Sequence, residues 1–166
     1  MGHELTKHDI EKMEQEIAYR KSELRPELLS KLKEARAQGD LSENFEYYAA
    51  KRENGKNNGR IRYLEKMIRY AKVVEENEAA DEAGLGKTVT FEVEEDGETE
   101  ICSIVSTVLS DPLNGRVSIE SPIGKALCGA KPGDRVYIPV NDNFGYYVVI
   151  RKIEPFDDSD VPINRY

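Results

Sequence analysis

Two carboxylates three residues apart, Asp40 and Glu43, stand in the segment Gly39-Asp40-Leu41-Ser42-Glu43-Asn44-Phe45-Glu46-Tyr47. At a helix start that spacing lets both face the same way. Paired carboxylates offer hard oxygen ligands to a divalent cation. Magnesium wants near-octahedral oxygen coordination, so two of them cannot hold it alone. Water, phosphate or another protein must supply the rest. The same spacing has a plain structural reading: Asp-x-x-Glu is a capping-box variant, in which Asp40 caps a helix and Glu43 reaches back. Spacing alone favours the cap, and the two roles are not exclusive. His3 and His8 lie far from the pair along the chain, so no ligand cluster suited to a free-standing metal hydrolase accompanies it.

The elements around the pair are helical. Ile10, Met13, Ile17, Leu24, Leu28, Leu32 and Ala35 recur at spacings of three, four and seven, an apolar stripe on one helical face. Thr6 followed by Asp9 offers an N-cap with an acid in the first turn. Pro26 falls inside this pattern and predicts a kink near Leu24–Arg25. A second stripe runs through Phe45, Ala49, Ile61, Leu64, Ile68 and Ala71. Gly39 suits a helix end, and Asp40 or Ser42 a new N-cap. So short a connection makes the two helices antiparallel. Residues 1–76 are thus predicted to form a long helical hairpin with its acidic tip at 39–44. Glu53-Asn54-Gly55-Lys56-Asn57-Asn58-Gly59 is poor in helix formers and predicts a distorted stretch in the second helix.

Beyond an acidic linker at 77–86 the periodicity changes. Lys87–Val93 alternates as a strand with Val89, Phe91 and Val93 on one face. Asp96-Gly97 and Asn114-Gly115 are turn signals. Strands are expected at Thr99–Leu109, Arg116–Ile119, Arg135–Val140 and Tyr146–Ile153, with a short helix at Pro122–Leu127 opened by its proline. Residues 87–155 form a small antiparallel sheet domain, and 156–166 an acidic, frayed tail. The fold class is α+β in two domains.

Composition narrows the function. Of 166 residues, 34% are charged and 39% hydrophobic, Trp is absent, and the mean hydropathy is −0.65. An extended, well-solvated protein fits these values better than one compact globule. No apolar run reaches membrane-spanning length, and the N-terminal residues have no apolar signal core. Cys102 and Cys128 read as reduced core residues of a cytosolic protein. Residues 1–78 carry 16 basic and 16 acidic side chains, so the whole net charge of −8 lies in 79–166. Neither half has the basic excess of a free-standing nucleic-acid binder.

Three ordered motifs carry a resemblance. They are Glu34-Ala35-Arg36 with Gly39-Asp40-Leu41-Ser42-Glu43-Asn44, Glu46-Tyr47 and Ala49-Ala50-Lys51; then Gly59-Arg60-Ile61; then Val117-Ser118-Ile119-Glu120-Ser121-Pro122-Ile123-Gly124-Lys125-Ala126-Leu127 with Gly129 and Gly133-Asp134. Together they resemble the GreA/GreB family of bacterial transcript-cleavage factors, over about Leu5 to Ile153. The resemblance implies an N-terminal antiparallel coiled coil and a C-terminal FKBP-like domain. It implies a cytoplasmic protein that docks on RNA polymerase, with Glu120, Ser121 and Pro122 as contacts, and passes its coiled coil down the secondary channel. Asp40 and Glu43 then help position a magnesium ion shared with the polymerase, which hydrolyses the 3′ segment of a backtracked nascent RNA. No cofactor is implied for the chain alone. Arg36 and Lys51 correspond to basic residues that steady RNA phosphates; an ordinary solvated helix charge remains the alternative. Phe45 and Tyr47 read first as packing across the hairpin, and Glu120, Ser121 and Pro122 also suit a strand end entering a short helix.

The sequence departs from the family pattern at Lys56-Asn57-Asn58, where an apolar residue usually follows the glycine. Three other functions compete. A channel-binding regulator without cleavage activity would differ at the tip, where Asp40 and Glu43 are retained. A prolyl isomerase would need an aromatic pocket with a Trp-like floor. A metal hydrolase would need more ligands. A hairpin that inserts must be free at its tip, so a monomer is expected.

Overall fold

The computed structural model describes residues 2–39 and 44–165. They form an α+β fold in two compact units, residues 10–71 and residues 2–9 with 72–166. Residues 2–9 therefore group with the sheet rather than with the hairpin.

The hairpin unit is built from α1 (Lys7–Tyr19) from Ile10 onward, a π-helical segment Arg20–Leu24, α2 (Arg25–Ala37) and α3 (Phe45–Arg69). Hydrogen bonds pair Glu16 with Arg60, Arg20 with Asn57 and Ala35 with Asn44, so the two helical arms of the hairpin run antiparallel. The π segment is the physical answer to Pro26. Its wide turn closes with Arg25 N–H donating to Arg20 O, and Pro26 then falls in the first turn of α2, where no donor is required. The chain continues as helix on both sides of Pro26.

The second helix differs from expectation in two ways. α3 is continuous across 53–59, where a distorted stretch is predicted. Its inward line also does not run through Phe45 and Ala49 but through Tyr47, Ala50, Asn54, Asn57, Ile61, Leu64 and Ile68, alternating steps of three and four, with Asn57, Ile61 and Leu64 buried and the others half-buried. This is a coiled-coil seam whose middle positions are amides. Phe45 is 86% exposed and Asn57 only 2%. Asn57 Nδ2 donates to Arg20 O at 3.2 Å, and Arg20 Nη1 donates to Asn57 Oδ1 at 3.0 Å. Arg25 Nε donates to Asn58 Oδ1 at 3.2 Å. These bonds offset the weak helix propensity of the asparagines. Beside them Glu16 Oε2 accepts from Arg20 Nε and Arg60 Nε, each at 2.7 Å, and Glu16 Oε1 accepts from Arg60 Nη2 at 3.1 Å. Burial alone would raise the Glu16 carboxyl. The two arginines outweigh it and hold the carboxyl below the ordinary range.

In the other unit, β1 (Glu4–Leu5) pairs in parallel with β2 (Lys72–Val73). The main sheet has β3 (Lys87–Val93), β4 (Thr99–Val105), β5 (Arg116–Ser118), β6 (Arg135–Asn141) and β7 (Phe144–Pro155), in the order β5-β4-β3-β7-β6. The β4–β5 pair is parallel and the rest antiparallel, so the sheet is mixed rather than wholly antiparallel. β4 stops at Val105, and Thr107–Leu109 is a 3-10 turn rather than more strand. α4 (Pro122–Leu127) is the expected short helix. Val89, Phe91 and Val93 face the core with Ile104, Ile138, Val148, Ile150 and Leu127. Each such side chain contributes about 1.5–3 kcal/mol by leaving water. Residues 77–86, read in sequence as linker, are packed: Ala83 is fully buried, and its N–H donates to Ala130 O at 2.8 Å. The tail is also packed rather than frayed. Phe156 N–H donates to Gly86 O at 2.8 Å, and Asn164 N–H to Val108 O at 2.8 Å.

At the start of α1, Thr6 and Asp9 form a complete capping box. Thr6 N–H donates to Asp9 Oδ2 at 2.9 Å, Asp9 N–H donates to Thr6 Oγ1 at 3.1 Å, and Ser106 Oγ donates to the same Asp9 oxygen. Cys102 is buried, as expected, and burial, with Glu100 nearby, pushes its thiol up to about 11. Cys128 is not a core residue: it is exposed. Its thiol is also raised, by partial burial and by Glu4, so neither cysteine is primed as a nucleophile.

Candidate functional site

The far end of the hairpin is organised by Asn44. Its Oδ1 accepts from Tyr47 N–H at 2.9 Å, which makes it the N-cap of α3, and its Nδ2 donates to Ala35 O at 2.6 Å in the last turn of α2. One side chain therefore satisfies an orphan donor of one helix and adds a second donor to Ala35 O, which also accepts from Gln38 N–H at 3.3 Å. The cap of α3 is not Asp40 or Ser42, so the capping reading of Asp40 does not hold for this helix. Asp40 and Glu43 themselves lie outside the described residues. Asn44 carried the necessary signal, being a preferred capping residue directly before the helix, but the acidic pair drew the assignment two to four positions too early.

Below Asn44, the Arg36 guanidinium lies over the Tyr47 ring, 5.7 Å from its centroid. This is a cation–π contact across the hairpin. Tyr47 packs edge-on to Tyr48 at 5.4 Å between centroids. Tyr47 thus does pack across the hairpin, whereas Phe45 does not. Arg36 and Lys51 are both exposed, on α2 and α3 respectively. Among the described residues no group of three or more His, Cys, Asp or Glu is placed to hold a metal ion.

In the sheet unit, Glu120, Ser121 and Pro122 form the corner between β5 and α4. Ser121 caps α4: its Oγ accepts from Gly124 N–H at 3.1 Å and donates to Ser118 O at 2.6 Å. Pro122 opens the helix. Glu120 is tied down more tightly than its type predicts. Its N–H donates to Ser118 Oγ at 3.0 Å, and its Oε2 accepts from Thr107 Oγ1 and lies 3.0 Å from His3 Nδ1. Burial would raise this carboxyl; bonds from Thr107 and His3 and the Glu4 backbone lower it overall. The corner is thus both a strand-to-helix junction and a shaped polar surface. It borders a groove of about 540 Å³ lined by Glu120, Pro122, Lys125, Ala126, Tyr137 and Pro139. Tyr137 and Pro139 come from β6 and carried no sequence signal beyond strand alternation. Two further aromatic contacts extend this side of β6 and β7: Tyr137 and Tyr147 lie 5.0 Å apart, and Arg135 sits 3.6 Å above the Tyr147 ring.

Comparison with known proteins gives one consistent picture. Residues 3–73 match the family model described as transcription elongation factor, N-terminal, and residues 77–155 match that described as transcription elongation factor, GreA/GreB, C-term. The transcription elongation factor GreA of Bacillus subtilis is 43% identical over 134 residues, 81% of this chain and 85% of that protein. That of Geobacillus kaustophilus is 47% identical over 135 residues, covering 81% and 85%. Among solved structures, the GreA factor homolog 1 (Gfh1) protein of Thermus thermophilus is 26% identical, covers 93% of this chain and 99% of that one, and superposes with a TM-score of 0.43. No helix among the described residues is long and apolar enough to cross a membrane.

Proposed function

Because the chain belongs to the GreA/GreB family of transcription elongation factors, we propose that it binds bacterial RNA polymerase and stimulates the polymerase's own cleavage of backtracked nascent RNA. The hairpin enters the secondary channel, and the Glu120-Ser121-Pro122 corner docks at its rim. The observation that carries this reading is the Asn44 clamp: it ends α2 and starts α3 together, so the acidic segment joining them is not needed to cap α3.

The chemistry then divides between two proteins. Hydrolysis of a phosphodiester by two metals needs a second cation beside the nucleophile and the developing charge. Asp40 and Glu43 supply two hard oxygen ligands, too few to hold magnesium without the polymerase. Their task is to complete another enzyme's site. Arg36, whose guanidinium is steadied on Tyr47, and Lys51 meet RNA phosphates near the same end.

The test uses backtracked elongation complexes with end-labelled RNA and the cognate polymerase. Wild type accelerates cleavage; Asp40→Ala/Glu43→Ala binds equally, as measured by competition, and does not. A wild type that binds without accelerating cleavage is a channel-binding regulator, and the cleavage reading is then wrong.

A further inference from the structure

The docking corner is held from both ends of the chain. From the N-terminal side, His3 Nδ1 lies 3.0 Å from Glu120 Oε2. His3 is itself placed by the β1–β2 ladder, where its carbonyl accepts from Lys72 N–H at 2.9 Å. From the C-terminal side the hold is indirect. Thr107 Oγ1 donates to Glu120 Oε2 and lies 2.6 Å from Ser118 Oγ. Thr107 belongs to a single 3-10 turn, closed by Leu109 N–H to Ser106 O at 2.9 Å and Ser110 N–H to Thr107 O at 3.2 Å, a short element whose hydrogen-bond geometry is poorer than that of an α-helix. Asn164 adds three further bonds to this turn. Its N–H donates to Val108 O at 2.8 Å, and its Nδ2 donates to Ser110 O at 2.9 Å and to Thr107 O at 3.4 Å.

The family match ends at residue 155, so Asn164 lies in a segment that the family model does not cover. That segment is nonetheless built into the sheet unit, from the Phe156–Gly86 bond to Asn164 on the turn. Its last anchor falls on the turn that holds Glu120.

We infer that His3 and Asn164 are positioning residues for polymerase docking, fixing the Glu120 carboxylate in its binding shape from opposite ends of the chain. The inference rests on the reading of this corner as the polymerase contact. Glutamate loses much rotamer freedom when it is fixed in an interface. A carboxylate already fixed in the free protein avoids that loss on binding. Asn164 acts through Thr107, and His3 acts directly on the carboxylate.

The experiment titrates full-length protein into backtracked complexes and reads the half-saturating concentration and the cleavage rate at saturation. His3→Ala and Asn164→Ala raise the half-saturating concentration by roughly five- to tenfold, the scale of one ordinary hydrogen bond, and leave the saturated rate unchanged. His3→Gln, which keeps a donor, recovers most of the affinity. In a Glu120→Ala background the same two changes add less than twofold, because their target is gone. Thermal melts confirm that each variant is folded at the assay temperature. Wild-type affinity in both single variants overturns the inference. So do effects that multiply in full with Glu120→Ala, which would mark a general loss of stability, and tighter binding, which would mark the chain ends as a mask. A wild type that does not bind polymerase at all overturns the functional reading, and this inference falls with it; wild-type binding with unchanged variants overturns this inference alone.

Discussion

Asn57 and Arg20 bind each other twice, side chain to side chain at 3.0 Å and side chain to backbone at 3.2 Å, across the seam of the hairpin. The second bond lands on Arg20 O, the carbonyl that also accepts from Arg25 N–H in the π turn. Asn57 therefore fixes the helix irregularity that accommodates Pro26. Asn57→Ala is expected to lower the stability of the protein by about 1–2 kcal/mol, since it leaves buried polar groups unmatched. Lys56→Ala, one residue away and exposed, is expected to change it by less than about 0.5 kcal/mol. Urea denaturation followed by circular dichroism compares the two directly, and equal effects would remove Asn57 from this role.

Glu16 makes the hairpin sensitive to acid. Its folded carboxyl lies below the ordinary range, so the unfolded chain binds the proton more readily. The stability this group contributes is fully present above the unfolded pKa and is lost as pH falls through the folded one. Glu16→Gln should cost about 1–3 kcal/mol at neutral pH and flatten the pH dependence of stability in the acid range. Denaturation midpoints across that range, wild type against Glu16→Gln, provide the check; parallel curves would refute the assignment.

Gly124 sits where α4 crosses the β5 corner. A Cβ there would overlap Ser118 O and crowd Ser121 Oγ at 3.1 Å. The obstacle is backbone, so it cannot simply rotate away. Gly124→Ala should therefore destabilise the sheet unit by about 1–3 kcal/mol and weaken polymerase binding. A calorimetric melt beside a binding titration detects both effects, and an alanine variant that melts and binds like wild type would contradict this packing.

The two thiols should separate cleanly. Cys128 is exposed, whereas Cys102 is buried with its thiol pushed up to about 11. At neutral pH a thiol reagent is expected to modify Cys128 slowly and Cys102 only after unfolding. Mass spectrometry of peptides from the labelled native protein would reveal any modification at Cys102.

Much of the architecture was legible because it rests on period. Val89, Phe91 and Val93 alternate, and Ile61, Leu64 and Ile68 recur at helical spacing, so their elements and buried faces followed directly. The errors arose where polar residues occupy apolar positions. Asn54 and Asn57 lie in the buried seam of α3, and an apolar pattern steps over them, which shifted the distal stripe to Phe45 and Ala49. The partner of Asn57, Arg20, is 37 residues away and leaves no local mark. The π turn was legible only as trouble at Pro26. Of the site, the Ser121 cap and Pro122 helix start could be read from residue types, whereas the bonds from His3, Thr107 and Asn164 depend on chain ends meeting in space. Asp40 and Glu43 stand out by type, but their spacing alone favours a helix cap, their reading as a site comes from the family resemblance, and both lie outside the described residues.

The pairing of Glu4–Leu5 with Lys72–Val73 makes the sheet unit a discontinuous domain with the hairpin inserted between two of its strands. On a ribosome, the first strand emerges long before its partner exists, and it must wait while the intervening helices are made. The helices close through local contacts, whereas this ladder is a late, long-range closure. Once formed, it draws the two roots of the hairpin together over only two residue pairs. Insertion or removal of whole helical repeats above those roots would alter the length of the hairpin while leaving the closure in register, so hairpin length and the folding of its base are separable variables.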